Sequence, residues 1–252
     1  MEILLITQAR LGSSRFPNKI LQEINGKTLL EIHLNRLIKS KYVTKFLVAS
    51  TFEDGIDVVK KISELNGFTF FQGSTKNVLD RFYQSAKNHE VNYIVRVTSD
   101  CPLIDAELVD QVIDFTINNK LDYGSNILEE TFPDGQDIEV FKKEVLKQTW
   151  EQAKSLHEKE HVTPYIRNNS SFLGGIKFKS ENFLSVKNYN KIRMTVDENE
   201  DLEAIEILIN KLGLNKKWEE YADFVIQNQD LFNNQAIQRN EGYFKSLNHE
   251  SK

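Results

Sequence analysis

Short apolar runs alternate with amphipathic segments through the first half of the chain, and this alternation restricts the possible folds most strongly. We predict buried strands in the apolar runs, which span 3–7, 46–50, 68–71 and 93–98. Apolar residues at helical spacing predict helices, which span 28–40, 55–66, 78–88 and, with Asp105 as N-cap, 106–118. This order predicts an α/β fold, in which a mostly parallel sheet is flanked by helices.

The second half of the chain is less regular. Further strands are predicted over 122–127, 136–141, 176–179 and 192–196. Further helices are predicted over 142–156, 159–167, 200–212 and 218–228. From about residue 213 the chain is richer in Asn and Gln, so we predict one main domain over 1–212 and a small helical C-terminal appendage over 213–252.

The bulk properties exclude several classes of protein. A net charge of −5 and a pI near 5.7 argue against a nucleic-acid-binding surface. No apolar run approaches the roughly 20 residues of a membrane span, and the first residues do not resemble a signal peptide. The single cysteine, Cys101, fits a reducing compartment. We therefore expect a cytoplasmic protein that binds neither nucleic acid nor membranes.

Small and basic residues fill the loop that follows the first predicted strand. They are Ala9, Arg10, Gly12, Ser13, Ser14, Arg15 and Lys19. Backbone N–H groups of small residues can approach an anion closely, and Arg and Lys supply the balancing charge. The loop therefore predicts a polyphosphate site. It lacks the three glycines of the dinucleotide fingerprint, and Gly26-Lys27-Thr28 lacks the first glycine of the P-loop.

Two carboxylates follow predicted strands and are candidates for a metal site. Asp100 follows the strand at 93–98, and Asp197 follows the one at 192–196. Ligands of such sheets bind beyond the carboxyl ends of the strands, and carboxylate oxygens suit Mg²⁺. Each aspartate also has a structural interpretation, because Asp forms turns before proline and caps helices. For Glu200 and Asp201 we expect only that they balance the dipole of the following helix.

Three other segments carry candidate ligand contacts. On the predicted strand at 136–141, Asp137 and Glu139 share one face, which predicts either contacts to sugar hydroxyls or a metal, or an exposed edge strand. Arg81, on the helix after the loop at 72–77, could bind a base or a phosphate. His161 fits a structural role or a substrate contact better than a metal site, because no His/Cys set has zinc spacing.

The pattern Arg-x-x-Ser-x-Arg-x-Pro-x-Lys at 10–19 resembles the N-terminal signature of the cytidylyltransferases that make CMP-activated acidic sugars, the CMP-acylneuraminate and CMP-Kdo synthetases. The segment 98–102 looks like the metal-binding loop of that family, and 195–202 looks like its second acidic site. Segments 77–82, 133–141, 160–166 and 239–243 resemble its spore-coat-polysaccharide (SpsF-like) branch. The likeness spans nearly the whole chain.

This resemblance implies a nucleotide-diphospho-sugar transferase (Rossmann-like) architecture, with the nucleotidyltransferase activity in residues 1–212, and a homodimer. The implied reaction transfers CMP from CTP to an acidic sugar of the nonulosonic or octulosonic type and releases pyrophosphate, in surface polysaccharide biosynthesis. Two alternatives are another sugar nucleotidyltransferase, which usually has a glycine-richer first loop, and a glycosyltransferase, which would carry an Asp-x-Asp motif. A third is a catalytically inactive nucleotide-binding protein.

The resemblance also implies a role for individual residues. Four are implied to be catalytic: Arg10, Lys19, Asp100 and Asp197. The nucleotide is assigned to Ala9, Arg10, Gly12, Ser13, Ser14, Arg15, Lys19, Gly73, Arg81 and Ser99. The acceptor sugar is assigned to Asp134, Gln136, Asp137, Glu139 and His161. Mg²⁺ is the implied cofactor, held by Asp100 and Asp197.

Overall fold

Seven strands form a central sheet in the computed structural model, which describes residues 1–13 and 15–239. The strands of the protein are β1 (Ile3–Gln8), β2 (Glu23–Ile24), β3 (Lys27–Thr28), β4 (Lys45–Thr51), β5 (Thr69–Gly73), β6 (Tyr93–Thr98), β7 (Tyr123–Ser125), β8 (Glu139–Lys142) and β9 (Ser180–Asn182). The sheet has the order β5-β4-β1-β6-β8-β7-β9, and β2 pairs with β3 in a separate ribbon. Within the seven-stranded sheet only β8 runs against its neighbours, so the mostly parallel sheet is confirmed.

Helices cover both faces of this sheet. They are α1 (Leu29–Leu37), α2 (Asp57–Leu65), α3 (Val78–Ala86), α4 (Ala106–Asn118), α5 (Lys143–Gln152), α6 (Leu156–His161), α7 (Pro164–Asn168), α8 (Asn199–Leu212) and α9 (Trp218–Gln227). Several begin with the expected caps; Asp105, for example, accepts the N–H of Glu107 at the start of α4. None of the helices in the described ranges is both long and apolar enough to cross a bilayer.

Alternate residues of β1 enter two separate apolar cores. Ile3 and Leu5 pack in the larger core, to which α1, α2, α4, α8 and α9 contribute. Leu4 and Ile6 pack on the opposite face with α3, α5 and α7. This follows from the period of two along a strand, and it explains why β1 is apolar at every position from 3 to 6.

The strand order opens a crevice beside β1. The chain passes from β1 through β4 to β5 on one side and then crosses over to β6 on the other side of β1. The loops after β1 and β6 therefore leave the sheet at a topological switch point, which is where ligands bind in open α/β sheets. The loop that contains Lys19 and the loop that contains Asp100 both begin there.

Three predictions in the second half are wrong in detail. The strand expected at 176–179 is replaced by β9, which begins at Ser180. The segment 192–196 forms a single bridge, between Arg193 and Asp134, because it lies beside two loops and no full strand. The helix expected at 159–167 is two helices, because Val162 has a φ of 70° and Pro164 can only begin a helix.

The C-terminal segment packs against the main body. Trp218, Tyr221 and Val225 of α9 lie in the same apolar core as Leu5. Arg36 of α1 donates hydrogen bonds to the backbone carbonyls of residues 214 and 216 at 2.5 and 3.1 Å. Residues 213–239 are thus continuous with the core, while a domain boundary at 212 stays a prediction and residues 240–252 lie outside the described ranges.

His33 links α1 to two elements of the crevice. Its Nδ1 donates to the carbonyl of Cys101 at 2.9 Å, since a carbonyl can only accept, and its Nε2 then accepts from the Thr7 hydroxyl at 2.9 Å. The ring is completely buried. Burial lowers the pKa of His33 to about 4, so the ring is neutral near pH 7.

Replacing His33 by Gln should weaken the acid sensitivity of the fold. Between pH 6.5 and about 4 the unfolded wild-type chain binds a proton at His33 that the folded protein does not, so stability falls as the pH falls. Gln retains a donor and an acceptor without this titration. The free energy of unfolding of the variant should therefore fall by up to about 1.4 kcal/mol less per pH unit than that of the wild type in this window. Urea unfolding at several pH values measures the difference; parallel curves for the two proteins would contradict it.

Candidate active site

The ammonium group of Lys19 lies between two carboxylates at the mouth of the crevice. Its Nζ is 3.0 Å from Oδ2 of Asp100 and 2.7 Å from Oδ1 of Asp197. The Lys19 side chain is only 11% exposed, so its charge is compensated almost entirely by these two groups. Arg15 adds a second cation, with Nη2 at 3.0 Å from Asp197. Three of the four catalytic candidates, Lys19, Asp100 and Asp197, are therefore adjacent in the fold.

Backbone hydrogen bonds bring the two aspartates together. The carbonyl of Asp100 accepts the N–H of Val196 at 2.8 Å and the hydroxyl of Thr195 at 3.2 Å. Ser99, which is buried, donates its N–H to the carbonyl of Gln8 and continues the pairing of β6 with β1. The segment before α8 is thus tied to the loop after β6, although the two are distant in sequence.

The charges at this site stabilise one another. Burial opposes the charge of Lys19, but Asp100 and Asp197 outweigh it and raise the pKa of Lys19 above its ordinary value. Burial would raise the pKa of Asp100, yet Lys19 holds that pKa well below its usual range. Both groups are therefore ionised at neutral pH.

Two carboxylates directed at one cation are a suitable donor set for Mg²⁺. The ion usually binds through one or two carboxylates, keeps several waters and takes its other ligands from substrate phosphates. Within residues 1–13 and 15–239 no three His, Cys, Asp or Glu side chains cluster as a complete metal site. The pair Asp100 and Asp197 fits an ion that arrives with a phosphate group and does not fit a permanently bound structural metal.

Part of the first loop is held by a carboxylate that the sequence analysis did not identify. The N–H groups of Leu11 and Gly12 donate to Oε2 of Glu53 at 2.9 and 3.1 Å. Glu53 follows β4, whose carboxyl end lies beside β1. Two N–H groups in the region predicted to bind an anion therefore bind a side chain of the protein itself. A Cβ at Gly12 would lie 3.2 Å from this carboxylate.

The other residues of the first loop have different environments. Ala9 is buried and pairs through its N–H with the carbonyl of Ala49. Arg10 is exposed. Ser13 accepts the N–H of Phe16 at 3.4 Å, and Ser14 lies outside the described residues. Of the loop cations, Arg15 and Lys19 contact the aspartates directly.

Gly73 ends β5, the edge strand beyond β4, and Arg81 of α3 packs against it. A Cβ at Gly73 would lie 2.8 Å from Cγ of Arg81, so glycine lets the arginine side chain pass. Arg81 is 3% exposed and donates from Nη1 to the carbonyl of Ser74 at 2.6 Å. Its Nε has no hydrogen-bond partner among the residues that the structure describes. Burial, and then the charge of Arg10, lower the pKa of Arg81 to about 10.

Asp134 and Gln136 are acceptor candidates in the loop before β8. Asp134 accepts from Nη1 of Arg193 at 2.8 Å. Gln136 is fully buried, and its side-chain amide donates to the carbonyl of Leu103 at 2.9 Å and accepts the N–H of Asp105 at 3.0 Å. Asp134 is thus near the aspartate pair, whereas Gln136 connects the loop to the start of α4.

The predicted common face of Asp137 and Glu139 is not formed, because β8 begins only at Glu139. Asp137 binds Nη2 of Arg239 at 2.5 Å. Glu139 is 1% exposed and binds the guanidinium groups of Arg96 and Arg167. Burial would raise the pKa of Glu139, but Arg167 and Arg96 lower it to about 2. Its contacts are with the protein interior.

His161 lies in cationic surroundings at the end of α6. Burial, and then the charges of His157, Arg96, Arg167 and Arg10, lower its pKa to about 3. The ring is therefore neutral at pH 7 and can donate or accept a hydrogen bond. An anion in this region would be favoured by the neighbouring guanidinium groups.

Sequence reasoning missed Glu53, Arg96, Arg167 and Arg193. Glu53 could have been found, because it follows a strand in the same way as Asp100 does. Arg193 interrupts an otherwise largely apolar run and stands four residues before Asp197, which is a weak signal for a buried ion pair. Arg96 occupies a position in an apolar strand, which is a comparable signal.

The fold and the cation–carboxylate crevice define a Rossmann-like nucleotidyltransferase. A family model described as Cytidylyltransferase matches residues 4–237. The spore coat polysaccharide biosynthesis protein SpsF of Bacillus subtilis is 32% identical over 217 residues, which cover 84% of this chain and 88% of that protein. The chain belongs to the cytidylyltransferase family and is a CTP-dependent nucleotidyltransferase.

Two further similarities agree with this assignment. A structure of a cytidylyltransferase from Leptospira borgpetersenii serovar Hardjo-bovis superposes with a TM-score of 0.87 at 30% identity, covering 95% of this chain and all of that one. A 3-deoxy-manno-octulosonate cytidylyltransferase of Trichlorobacter lovleyi is 31% identical over 119 residues, which cover 47% of this chain and 46% of that protein. The family expected from residues 10–19 is confirmed.

Replacing Glu53 by Ala should weaken nucleotide binding. The change removes the acceptor that orders Leu11 and Gly12, so the loop that carries Arg10 and Arg15 loses an anchor. We expect the KM for CTP to rise about tenfold, as for the loss of a partly exposed pair of charge-assisted hydrogen bonds, with a smaller change in kcat. Asp54→Ala, at the exposed next residue, is the control. A lower KM in the Glu53 variant would instead mean that its carboxylate competes with the substrate.

Proposed function

We propose that this protein transfers CMP from CTP to an acidic sugar of the nonulosonic or octulosonic type and releases pyrophosphate. The single observation that carries the proposal is the Lys19 ammonium held between Asp100 and Asp197 at the switch point of the sheet. This arrangement supplies a cation for phosphate and two oxygen donors for a metal at the same place. The relative from Trichlorobacter lovleyi, by its name, activates an octulosonate with a cytidylyl group.

Arg81 is our candidate for recognition of the base. Its buried Nε is a donor without a partner among the described residues, and a buried donor is costly unless a ligand satisfies it. A cytosine presents a carbonyl and a ring nitrogen as acceptors. Backbone groups near Ala9 and Gly73 would supply the remaining contacts.

The triphosphate would bind along the first loop. Arg10, Arg15 and Lys19 provide three positive charges, of which two already bind carboxylates of the site. Asp100 and Asp197 would hold Mg²⁺, which supplies charge neutralisation and polarises the α-phosphate when bound. In this arrangement Lys19 would exchange part of its contact with the carboxylates for contact with phosphate oxygen.

The acceptor would contact Asp134 in the loop before β8 and His161 at the end of α6. The anomeric hydroxyl oxygen bonds to the α-phosphorus while the bond to the bridging oxygen of pyrophosphate breaks, and the hydroxyl proton leaves to solvent or a nearby base. Arg96, Arg167 and the exposed Arg10 make the surroundings of His161 cationic, as their effect on the pKa of His161 indicates. A cationic pocket favours a sugar that carries a carboxylate.

The biological setting is also part of the proposal. The Bacillus subtilis relative takes its name from spore coat polysaccharide biosynthesis, which supports a role in making surface polysaccharide. A homodimer and a cytoplasmic location, where CTP is available and the buried Cys101 stays reduced, complete the proposal.

Pyrophosphate release tests the reaction directly. The pure protein is incubated with Mg²⁺, one nucleoside triphosphate and a panel of nonulosonic and octulosonic acids, each beside its analogue with the carboxylate reduced to an alcohol. We expect release with CTP and an acid only. Equal release with the reduced analogues would contradict an acidic acceptor, and release with UTP, GTP or ATP in place of CTP would contradict the nucleotide.

The Asp100→Asn variant tests the role of the carboxylate pair. It should fold, because the amide keeps the shape of the side chain, and kcat should fall by about 10²–10³-fold, as for the removal of a preorganised charge. Asp114→Asn, an exposed acid on α4, is the matched control and should retain wild-type activity. Undiminished turnover in the Asp100 variant would remove the metal assignment.

A further inference from the structure

Arg193 lies where three carboxylates meet: Asp134 from the loop before β8, Asp197 from the segment before α8, and Asp201 from the first turn of α8. Its guanidinium forms a bidentate pair with Asp201, with Nε 2.7 Å from Oδ1 and Nη2 2.8 Å from Oδ2. Nη1 is 2.8 Å from Asp134, and Nη2 is 3.4 Å from Oδ2 of Asp197. Only 4% of Arg193 is exposed. One buried cation therefore joins the loop before β8 to the loop before α8.

Asp201 organises the backbone that carries Asp197. Its carboxylate accepts the N–H groups of Asp197 at 2.8 Å and of Glu198 at 3.0 Å, and Asn234 donates to it at 3.0 Å. These bonds include the cap of α8, but a cap needs only the backbone bonds. The ion pair with Arg193 also fixes the orientation of the Asp201 carboxylate, because a planar guanidinium matches a carboxylate in one geometry.

The two oxygens of Asp197 face different cations. Oδ1 is 2.7 Å from Nζ of Lys19 and 3.0 Å from Nη2 of Arg15, whereas Oδ2 contacts Arg193. Arg193 thus binds the oxygen that Lys19 does not use. This contact sets the rotation of the Asp197 carboxylate and leaves Oδ1 directed at Lys19 and Arg15.

The loop of Asp134 is held against the same segment. The N–H of Asp134 donates to the carbonyl of Ile192 at 2.9 Å, and the carbonyl of Asp134 accepts the N–H of Met194 at 2.7 Å. Gly135 has a φ of +113°, and a Cβ there would lie 2.7 Å from the backbone of Met194. The backbone hydrogen bonds and the Arg193 guanidinium therefore hold the loop of Asp134 and the segment 192–194 together at the same place.

We propose that Arg193 is a positioning residue for nucleotidyl transfer, which orients Asp197 towards Lys19 and Asp100 and holds Asp134 beside it. This inference rests on the proposed function, in which Asp197 is a metal ligand. A purely stabilising role does not account for an arginine here, because a buried ion cluster can often be replaced by apolar residues of similar volume without loss of stability.

The test uses a double variant, because Arg193→Met alone leaves Asp201 as a buried charge without its arginine. In Arg193→Met/Asp201→Asn the amide oxygen still accepts the N–H groups of residues 197 and 198. The double variant should melt within about 5 °C of the wild type. Its kcat should fall about 100-fold through misplacement of Asp197, while the KM for CTP stays within about threefold.

Two further variants complete the series. Arg193→Lys keeps the positive charge but not the planar guanidinium. Its kcat should therefore be higher than that of the double variant, at about tenfold below the wild type. Lys191→Met removes an exposed cation two residues away and should leave kcat unchanged.

Binding of Mn²⁺, measured by electron paramagnetic resonance with CTP present, gives a readout that does not depend on turnover. The double variant should bind Mn²⁺ about tenfold more weakly than the wild type, as expected when a group that orients a ligand is removed. Lys191→Met should bind it as the wild type does.

Three outcomes would overturn the role of Arg193. The first is a folded double variant that keeps kcat within about threefold while Asp197→Asn loses activity. The second is an Arg193→Lys variant equal to the wild type in both kcat and Mn²⁺ affinity. The third is a loss of kcat that follows the melting temperature alone. A wild-type protein that releases no pyrophosphate from CTP contradicts the proposed function instead, and the Mn²⁺ affinities then still decide the role of Arg193.

Discussion

The contact of the Lys19 ammonium group with Asp100 and Asp197 organises the crevice beside β1. Lys19 is nearly buried, and a buried charge is tolerated only when partners compensate it. Its partners come from the loop after β6 and the segment before α8, so three distant parts of the chain must meet for the charges to balance. The proposed phosphate and metal site is therefore built by the same interaction that makes burial of the lysine possible.

Other buried acidic side chains are also paired with a cation, but there the cation is an arginine. Glu139 is shared by Arg96 and Arg167, and Asp201 is paired in bidentate fashion with Arg193. An arginine holds a carboxylate in one direction, whereas a lysine is a point charge with rotatable donors. The arginine pairs therefore hold the loops around the crevice in place, whereas in the proposed reaction Lys19 exchanges a carboxylate for a phosphate oxygen.

Much of the site could be predicted from the sequence because its signals are local. The cations of the first loop follow a strand directly, and Asp100 follows another, so the rule that ligands bind beyond strand ends brings them together. Glu139 shows where such reasoning stops. Alternation along a predicted strand indicated a carboxylate that faces either a ligand or solvent, but β8 begins at that residue and its side chain is enclosed by two arginines.

The sequence by itself determined the α/β alternation, the helix caps and the charge of the first loop, because each depends on residues within one or two turns of each other. Only the tertiary structure decided the partners of those charges. Glu53 meets Leu11, and Arg193 meets Asp134, through strand order and loop contact. Such pairings depend on distances across the sheet, and no spacing along the chain encodes them.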